Sequence, residues 1–142
     1  PANSSINSSR GNKKYAAGSG EYGSVTNGWY PGDDNRGDVA RIVFFMITKY
    51  PNLTIEMIGN LATFLEWHLI DPVDDFEMNR NDVLHEYTDS RNPYIDNPEW
   101  VQIVFGNTTL SHEEATTLAL ILTYELNLND LYINERYNRL IA

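Results

Sequence analysis

The stretch Arg36–Tyr50, RGDVARIVFFMITKY, decides the fold class. Val39, Ile42, Val43, Met46 and Ile47 recur at i, i+3, i+4, i+7 and i+8, which is one face of an α-helix; a strand would alternate every second residue. Pro51 ends the run, because proline lacks the amide donor a helix interior needs. Downstream, the pattern predicts a second helix from Thr54 to His68 that buries Ile55, Ile58, Leu61, Ala62 and Leu65. Asp71-Pro72 reads as an N-cap followed by proline at the first helical position. The helix it opens is expected to bury Val73, Phe76, Val83, Leu84 and Tyr87. Asp89–Asp96 reads as irregular, and Asn97-Pro98 starts a short helix ending at Gly106. Ser111 with Glu114 forms a capping box before a Leu-rich helix, and Asn129-Asp130 opens a last one. Upstream, residues 1–35 are rich in Gly, Ser, Asn and Tyr and read as a long loop region, with at most a short helix over Asn3–Arg10. No convincing strand is predicted. The fold class expected is mainly α.

At 142 residues the chain suffices for one domain with a sizeable core. No apolar run approaches the roughly 18 residues of a membrane span, so no membrane partner is expected. Cysteine is absent, which excludes a disulfide scaffold and a thiolate metal site. The chain begins at Pro1 without a methionine, which leaves room for a targeting segment lost or processed away. The net charge of −10 argues against a phosphate partner, but its distribution does not. Residues 1–50 carry a balance of +2 (Arg10, Lys13, Lys14, Arg36, Arg41 and Lys49 against four acids), and the rest carries −12. Any phosphate-binding face is therefore expected in the first third. The acidic remainder reads as a solvated surface.

Three motifs occur in order: R-G-D-V-A-R at Arg36–Arg41, W-H-x-x-D-P-V-x-x-x-E-x-x-R-N-D at Trp67–Asp82, and R-N-P-Y-I-D-x-P-E at Arg91–Glu99. With the opening P-x-x-x-x-x-N-x-x-R-x-N at Pro1–Asn12, they resemble the C-terminal half of bacterial endonuclease I, a family of periplasmic and extracellular DNases and secreted ribonucleases. The resemblance covers residues 1–106, which are expected to be the C-terminal portion of the endonuclease domain. Residues 107–142 match no motif and are expected to be a helical extension packed on it.

The resemblance implies a ββα-metal (His-Me finger) nuclease, α+β in the intact parent, of which this chain is the helical part. In that family a Glu-His pair on a hairpin and an Asn on the following helix form the site. The implied metal ligand here is Asn7, with Mg²⁺ or a similar divalent cation as cofactor. The general-base His is expected upstream of Pro1, so no catalytic residue is assigned within this chain. Such chemistry needs an activated water and charge relief on the phosphate, which an imidazole and a hard cation with oxygen ligands supply. Arg10, Asn12, Lys13, Lys14 and Arg91 are the candidate nucleic-acid contacts, arginine being the better bidentate phosphate ligand. Asp89-Ser90, where the family more often has Gly-Asn, departs from the pattern.

Bland uses compete for other residues. His68 is expected to pack or cap, and His85 and His112 to lie at the surface. Arg36 and Arg41 are expected to pair with Asp33, Asp34 or Asp38. Asp74 and Asp75 near a helix start suit the macrodipole. Trp67, Tyr15, Tyr22 and Tyr30 offer stacking surfaces, although packing is the commoner use. The reading is a secreted or periplasmic, monomeric, sequence-tolerant endonuclease acting on DNA or RNA, this chain being inactive alone. The alternative is a non-catalytic helical nucleic-acid-binding or scaffolding module that kept the fold.

Overall fold

A computed structural model describes residues 3–106, so the expected helices after Gly106, and the packing of 107–142, lie outside the described residues. The elements run α1 (Ser4–Arg10), β1 (Gly23–Val25), β2 (Gly28–Tyr30), α2 (Arg36–Lys49), α3 (Ile55–Ile58), α4 (Leu61–Ile70), α5 (Asp75–Thr88), α6 (Pro93–Asp96) and α7 (Trp100–Phe105). The mainly α class holds. The long helix of Arg36–Lys49 ends before Pro51 as expected. Among the described residues no helix is long and apolar enough to cross a membrane.

Four local expectations are corrected. A two-stranded antiparallel sheet exists, with Gly23 opposite Tyr30, Ser24 opposite Trp29 and Val25 opposite Gly28. The two-residue loop Thr26-Asn27 joins these strands, and the adjoining Asn27-Gly28 is the hairpin cue that was missed. The single helix expected over Thr54–His68 is two, α3 and α4, divided at Gly59. A Cβ at Gly59 would sit 2.7 Å from the Phe64 ring, and Asn60 starts the second helix by accepting from the Thr63 amide. Asp71 does not open α5. Asp74 does, accepting from Glu77 N at 2.8 Å, while Asp71 caps the end of α4. The stretch expected to be irregular contains α6, capped by Asn92 on Tyr94 N.

The core lies where α2 crosses α4 and α6. Tyr30, Ala40, Val43, Phe44, Ile47, Ile55, Phe64, Trp67, Tyr94 and Val101 are buried together. Phe44 is the hub: its ring meets Phe64 and Tyr94 edge-on and Phe105 at 4.5 Å. Edge-to-face aromatic pairs add to the burial of their area. Of the apolar residues expected inside, Ile42, Leu61, Ala62, Phe76, Val83, Leu84 and Tyr87 are exposed. The α5 helix instead buries Glu77 and Asn81. Helical spacing located that helix, but its inward face is set by charge pairing, because Arg41 waits in the core.

Candidate nucleic-acid interface

The N-terminal segment is built around α1. The Asn3 side chain accepts from Ser5 N at 3.0 Å and Ile6 N at 3.4 Å, satisfying amides that a helix start leaves open. Arg10 sits in the last turn, where the macrodipole favours a cation, and Gly11 at φ 52° turns the chain away. The next residues are stitched into the fold: Tyr15 N donates to Ile58 O at 2.8 Å, Trp29 N to Lys14 O at 2.8 Å and Ala16 N to Trp29 O at 3.0 Å. This approach requires glycine at 28, since a Cβ there would stand 2.1 Å from Lys14 O. The segment of composition expected of a loop is thus a fixed layer over α2, α3 and α4.

Two clefts open along it. One, of about 370 Å³, is lined by Asn7, Arg10, Tyr15, Tyr22, Trp29 and Asn35 among others. The second, also about 370 Å³, has Arg10, Asn12, Lys13 and Lys14 along one side and Ile42, Met46, Met57 and Ile58 among its apolar residues. Arg10 and Tyr15 line both, so the clefts share a wall. Five of the six predicted site residues meet here. Asn7 is exposed, and its side-chain amide makes no hydrogen bond among the described residues. Arg10 lies over the Tyr15 ring at 5.3 Å and donates to Lys13 O at 3.3 Å. Lys13 Nζ donates to Ser9 O at 2.7 Å, and Lys14 Nζ to Glu56 O at 2.5 Å. Arg10, Lys13 and Lys14 form no salt bridge among the described residues.

Arg91 is not brought to these clefts. It is clamped by Asp82 at 2.6 Å and by Asp96 at 2.6 and 2.7 Å, and the Asp96 carboxylate raises its pKa further above the ordinary arginine value. Its charge is already spent on tying α5 to α6.

The motif carboxylates and the central histidine form a separate, buried network. Arg41 is 0% exposed and holds Glu77, also 0% exposed, through Nε–Oε1 at 2.8 Å and Nη2–Oε2 at 2.5 Å. Arg41 Nη1 donates to Asp71 O at 2.9 Å and stands 3.4 Å from His68 Nδ1. Asp71 in turn accepts from Gly37 N at 2.8 Å, so one residue ends α4 and caps α2. Asn92 accepts through its side chain from Tyr94 N and donates to Arg41 O, while Asn81 holds the Asn92 backbone from both sides. Arg41 was expected to pair with Asp33, Asp34 or Asp38, and Asp38 does lie at 3.8 Å; the main partner is Glu77, 36 residues away and invisible to local spacing. Arg36 does pair with Asp33, at 3.4 Å. Tyr30 donates to the same Asp33 in a short hydrogen bond, which lowers the Asp33 carboxyl's pKa.

His68 is 6% exposed, and burial followed by the Arg41 charge lowers its pKa, holding the imidazole neutral. It packs against Phe44 as expected of a structural residue and has no access to a solvent-borne substrate. Burial pushes Asp38 up to about 7, with Glu77 adding to the rise and Arg80 and Arg41 opposing it.

A family model described as Endonuclease I matches residues 1–99, from the exposed N-terminal segment through the buried network. The chain belongs to the endonuclease I family. Among curated relatives, it is 38% identical over 127 residues to an extracellular ribonuclease of Bacillus subtilis (strain 168) and 36% identical over 127 residues to an extracellular ribonuclease of Bacillus amyloliquefaciens. Each alignment covers 74% of this chain and 44% of the relative, so the chain spans less than half the length of the curated relatives it matches. No solved structure matches.

The family implies a metal, and the described residues test that implication. No group of three His, Cys, Asp or Glu side chains among them is placed to hold an ion. Asn7 offers one neutral oxygen, which does not compete with water for a hard cation by itself. It fits as a single donor within a larger ligand set, not as a centre. Sequence reasoning missed Trp29, whose ring lies under Tyr22 in the Asn7 cleft. Of the four aromatic residues it weighed for stacking, Tyr30 and Trp67 are in the core and Tyr15 packs edge-on against Phe64 and Trp67.

Proposed function

We propose that the protein to which this chain belongs hydrolyses phosphodiester bonds of DNA or RNA outside the cytoplasm, with little sequence preference, and that this chain supplies its phosphate-binding half. The observation that carries the reading is the clustering of Asn7, Arg10, Asn12, Lys13 and Lys14 along two joined clefts of a strongly acidic protein. Cations that form no salt bridge among the described residues, set along concave walls, attract a polyanion and leave its bases unread, which is sequence-tolerant binding. Arg10 is the positioning group for a phosphate: its guanidinium is held over Tyr15 and presents planar donors. The relatives named extracellular ribonucleases support both the substrate class and secretion.

In this reading Asn7 gives one oxygen to a divalent cation such as Mg²⁺, which would relieve charge on the phosphate. The general base and the remaining ligands come from the longer protein, so the 142-residue chain alone is inactive. His68 takes no part, being buried and neutral.

The experiment is cleavage of plasmid DNA and of a structured RNA by the longer secreted protein and by the 142-residue chain, each with Mg²⁺ and with EDTA. The expected result is EDTA-sensitive cleavage by the longer protein alone. Failure of the longer protein to cleave either substrate with Mg²⁺, Mn²⁺ or Ca²⁺ would overturn the nuclease reading and favour a non-catalytic binding module.

A further inference from the structure

The cleft that holds Asn7 and Arg10 also holds an aromatic pair that phosphate binding does not use. Trp29 is 5% exposed and fixed on both sides, by its pairing with Ser24 in the hairpin and by its bridge to Tyr15. Tyr22 lies over it with ring centroids 6.3 Å apart and planes inclined by 29°, an offset stack. Yet Tyr22 is 48% exposed, and its hydroxyl makes no hydrogen bond among the described residues. Its backbone is held in a tight loop: Asp33 N donates to Gly20 O at 2.9 Å, and a Cβ at Gly32 would come within 3.3 Å of Tyr22 N. The ring is therefore presented on a fixed support, stacked on Trp29 and nearly half exposed, in the cleft it shares with Asn7.

We propose that the open face of Tyr22, backed by Trp29, is a stacking platform for one unpaired nucleobase of the strand whose phosphate lies at Asn7 and Arg10. The inference rests on the nuclease reading and adds to it a preference for strands that offer an unpaired base at this cleft. A base inside a duplex has both faces covered by its neighbours, so only an unstacked base can add a third layer to the Trp29–Tyr22 pair. Every base has a π-face, so such a platform adds affinity without demanding a sequence. Little conformational freedom is lost on binding, because the hairpin holds Trp29 and the Tyr22 ring already lies over it.

The test is equilibrium binding of the 142-residue chain to three labelled probes of equal length, in EDTA: oligothymidylate, the same backbone without bases, and a blunt duplex. The expected result is that Tyr22→Ala weakens oligothymidylate binding roughly 5- to 100-fold, the usual value of one stacked base, and leaves the abasic strand unchanged. Tyr22→Phe, which keeps the ring, retains the affinity. Arg10→Ala weakens both single strands, and the duplex binds less well than oligothymidylate. Binding of both single strands with no effect of Tyr22→Ala overturns the platform alone. An equal loss on both strands also overturns it, since the ring would then be serving the backbone or the fold. No binding of any probe overturns the nuclease reading together with the platform.

Discussion

The two halves of the described chain use polar residues in opposite ways. Around Arg41, Glu77, Asn81 and Asn92 they are buried and matched partner to partner. Along Asn7, Asn12, Lys13 and Lys14 they are exposed and only lightly tied down, mostly to backbone carbonyls. The more elaborate motif is therefore scaffold. R-G-D-V-A-R, the Asp71–Asp82 segment with Glu77 and Asn81, and Asn92 of the third motif supply the ion pair, caps and amide clasps that orient α2, α4, α5 and α6. The plainer opening segment faces the solvent and carries the groups that can meet a ligand.

The sharpest way to break this contrast is to unbalance the core. Arg41→Ala leaves Glu77 charged and buried without its partner, and the expected loss is about 3–5 kcal/mol, read as a lowered urea midpoint or an unfolded chain. Replacing both partners by apolar residues, Arg41→Met with Glu77→Leu, is expected to cost much less than Arg41→Ala, because no charge is then stranded. A double variant as unstable as the single would show that the pair itself, and not its balance, holds the helices.

Asn92→Ala is the next step down. It removes the cap on Tyr94 N and the donor to Arg41 O, and a loss of roughly 1–3 kcal/mol is expected in the same urea titration.

Asp38 sharpens the comparison through pH. An acid whose pKa is higher folded than unfolded binds more protons in the folded state, so its contribution to stability falls as pH rises between the two values. With the folded value at about 7, that decline runs from the ordinary carboxylate range up to neutrality. Asp38→Asn is expected to match the native protein's stability near pH 4 and exceed it by roughly 1–2 kcal/mol at pH 8, after allowance for solvent screening. His68 works in the other direction: its lowered pKa removes stability as pH falls below the usual histidine range. Thermal melts of both proteins across pH check the sign, and an Asp38→Asn gain confined to low pH contradicts it.

The smallest expected effect on stability is at the other region. Arg10→Ala should change the folding free energy by less than about 0.5 kcal/mol, as surface changes usually do. It should also reduce the salt slope of nucleic-acid binding by about one.

The same contrast explains what was legible in the sequence. Helix α2 was readable because its apolar spacing and Pro51 are local signals; α1 was expected only as a short helix at most over Asn3–Arg10, and its Asn3 cap appears in the structure. The inward face of α5 was not readable, since Phe76, Val83 and Tyr87 look like core residues until Arg41 is seen to claim Glu77 from 36 residues away. The break at Gly59 depends on the approach of Phe64, which spacing does not encode. In the polar cluster Asn7–Lys14, Asn7 was a candidate only through the family resemblance, and Arg10, Lys13 and Lys14 through their closeness in sequence. The Tyr22–Trp29 pair was not legible, because it depends on a hairpin whose three-residue strands are too short to show an alternating pattern.

The most direct test of the division between scaffold and working surface is Asn7→Ala in the longer protein of the proposed function, with cleavage and thermal stability measured on the same preparation. The account predicts an unchanged melting temperature and loss of Mg²⁺-dependent cleavage. Full cleavage by a folded Asn7→Ala protein would contradict it.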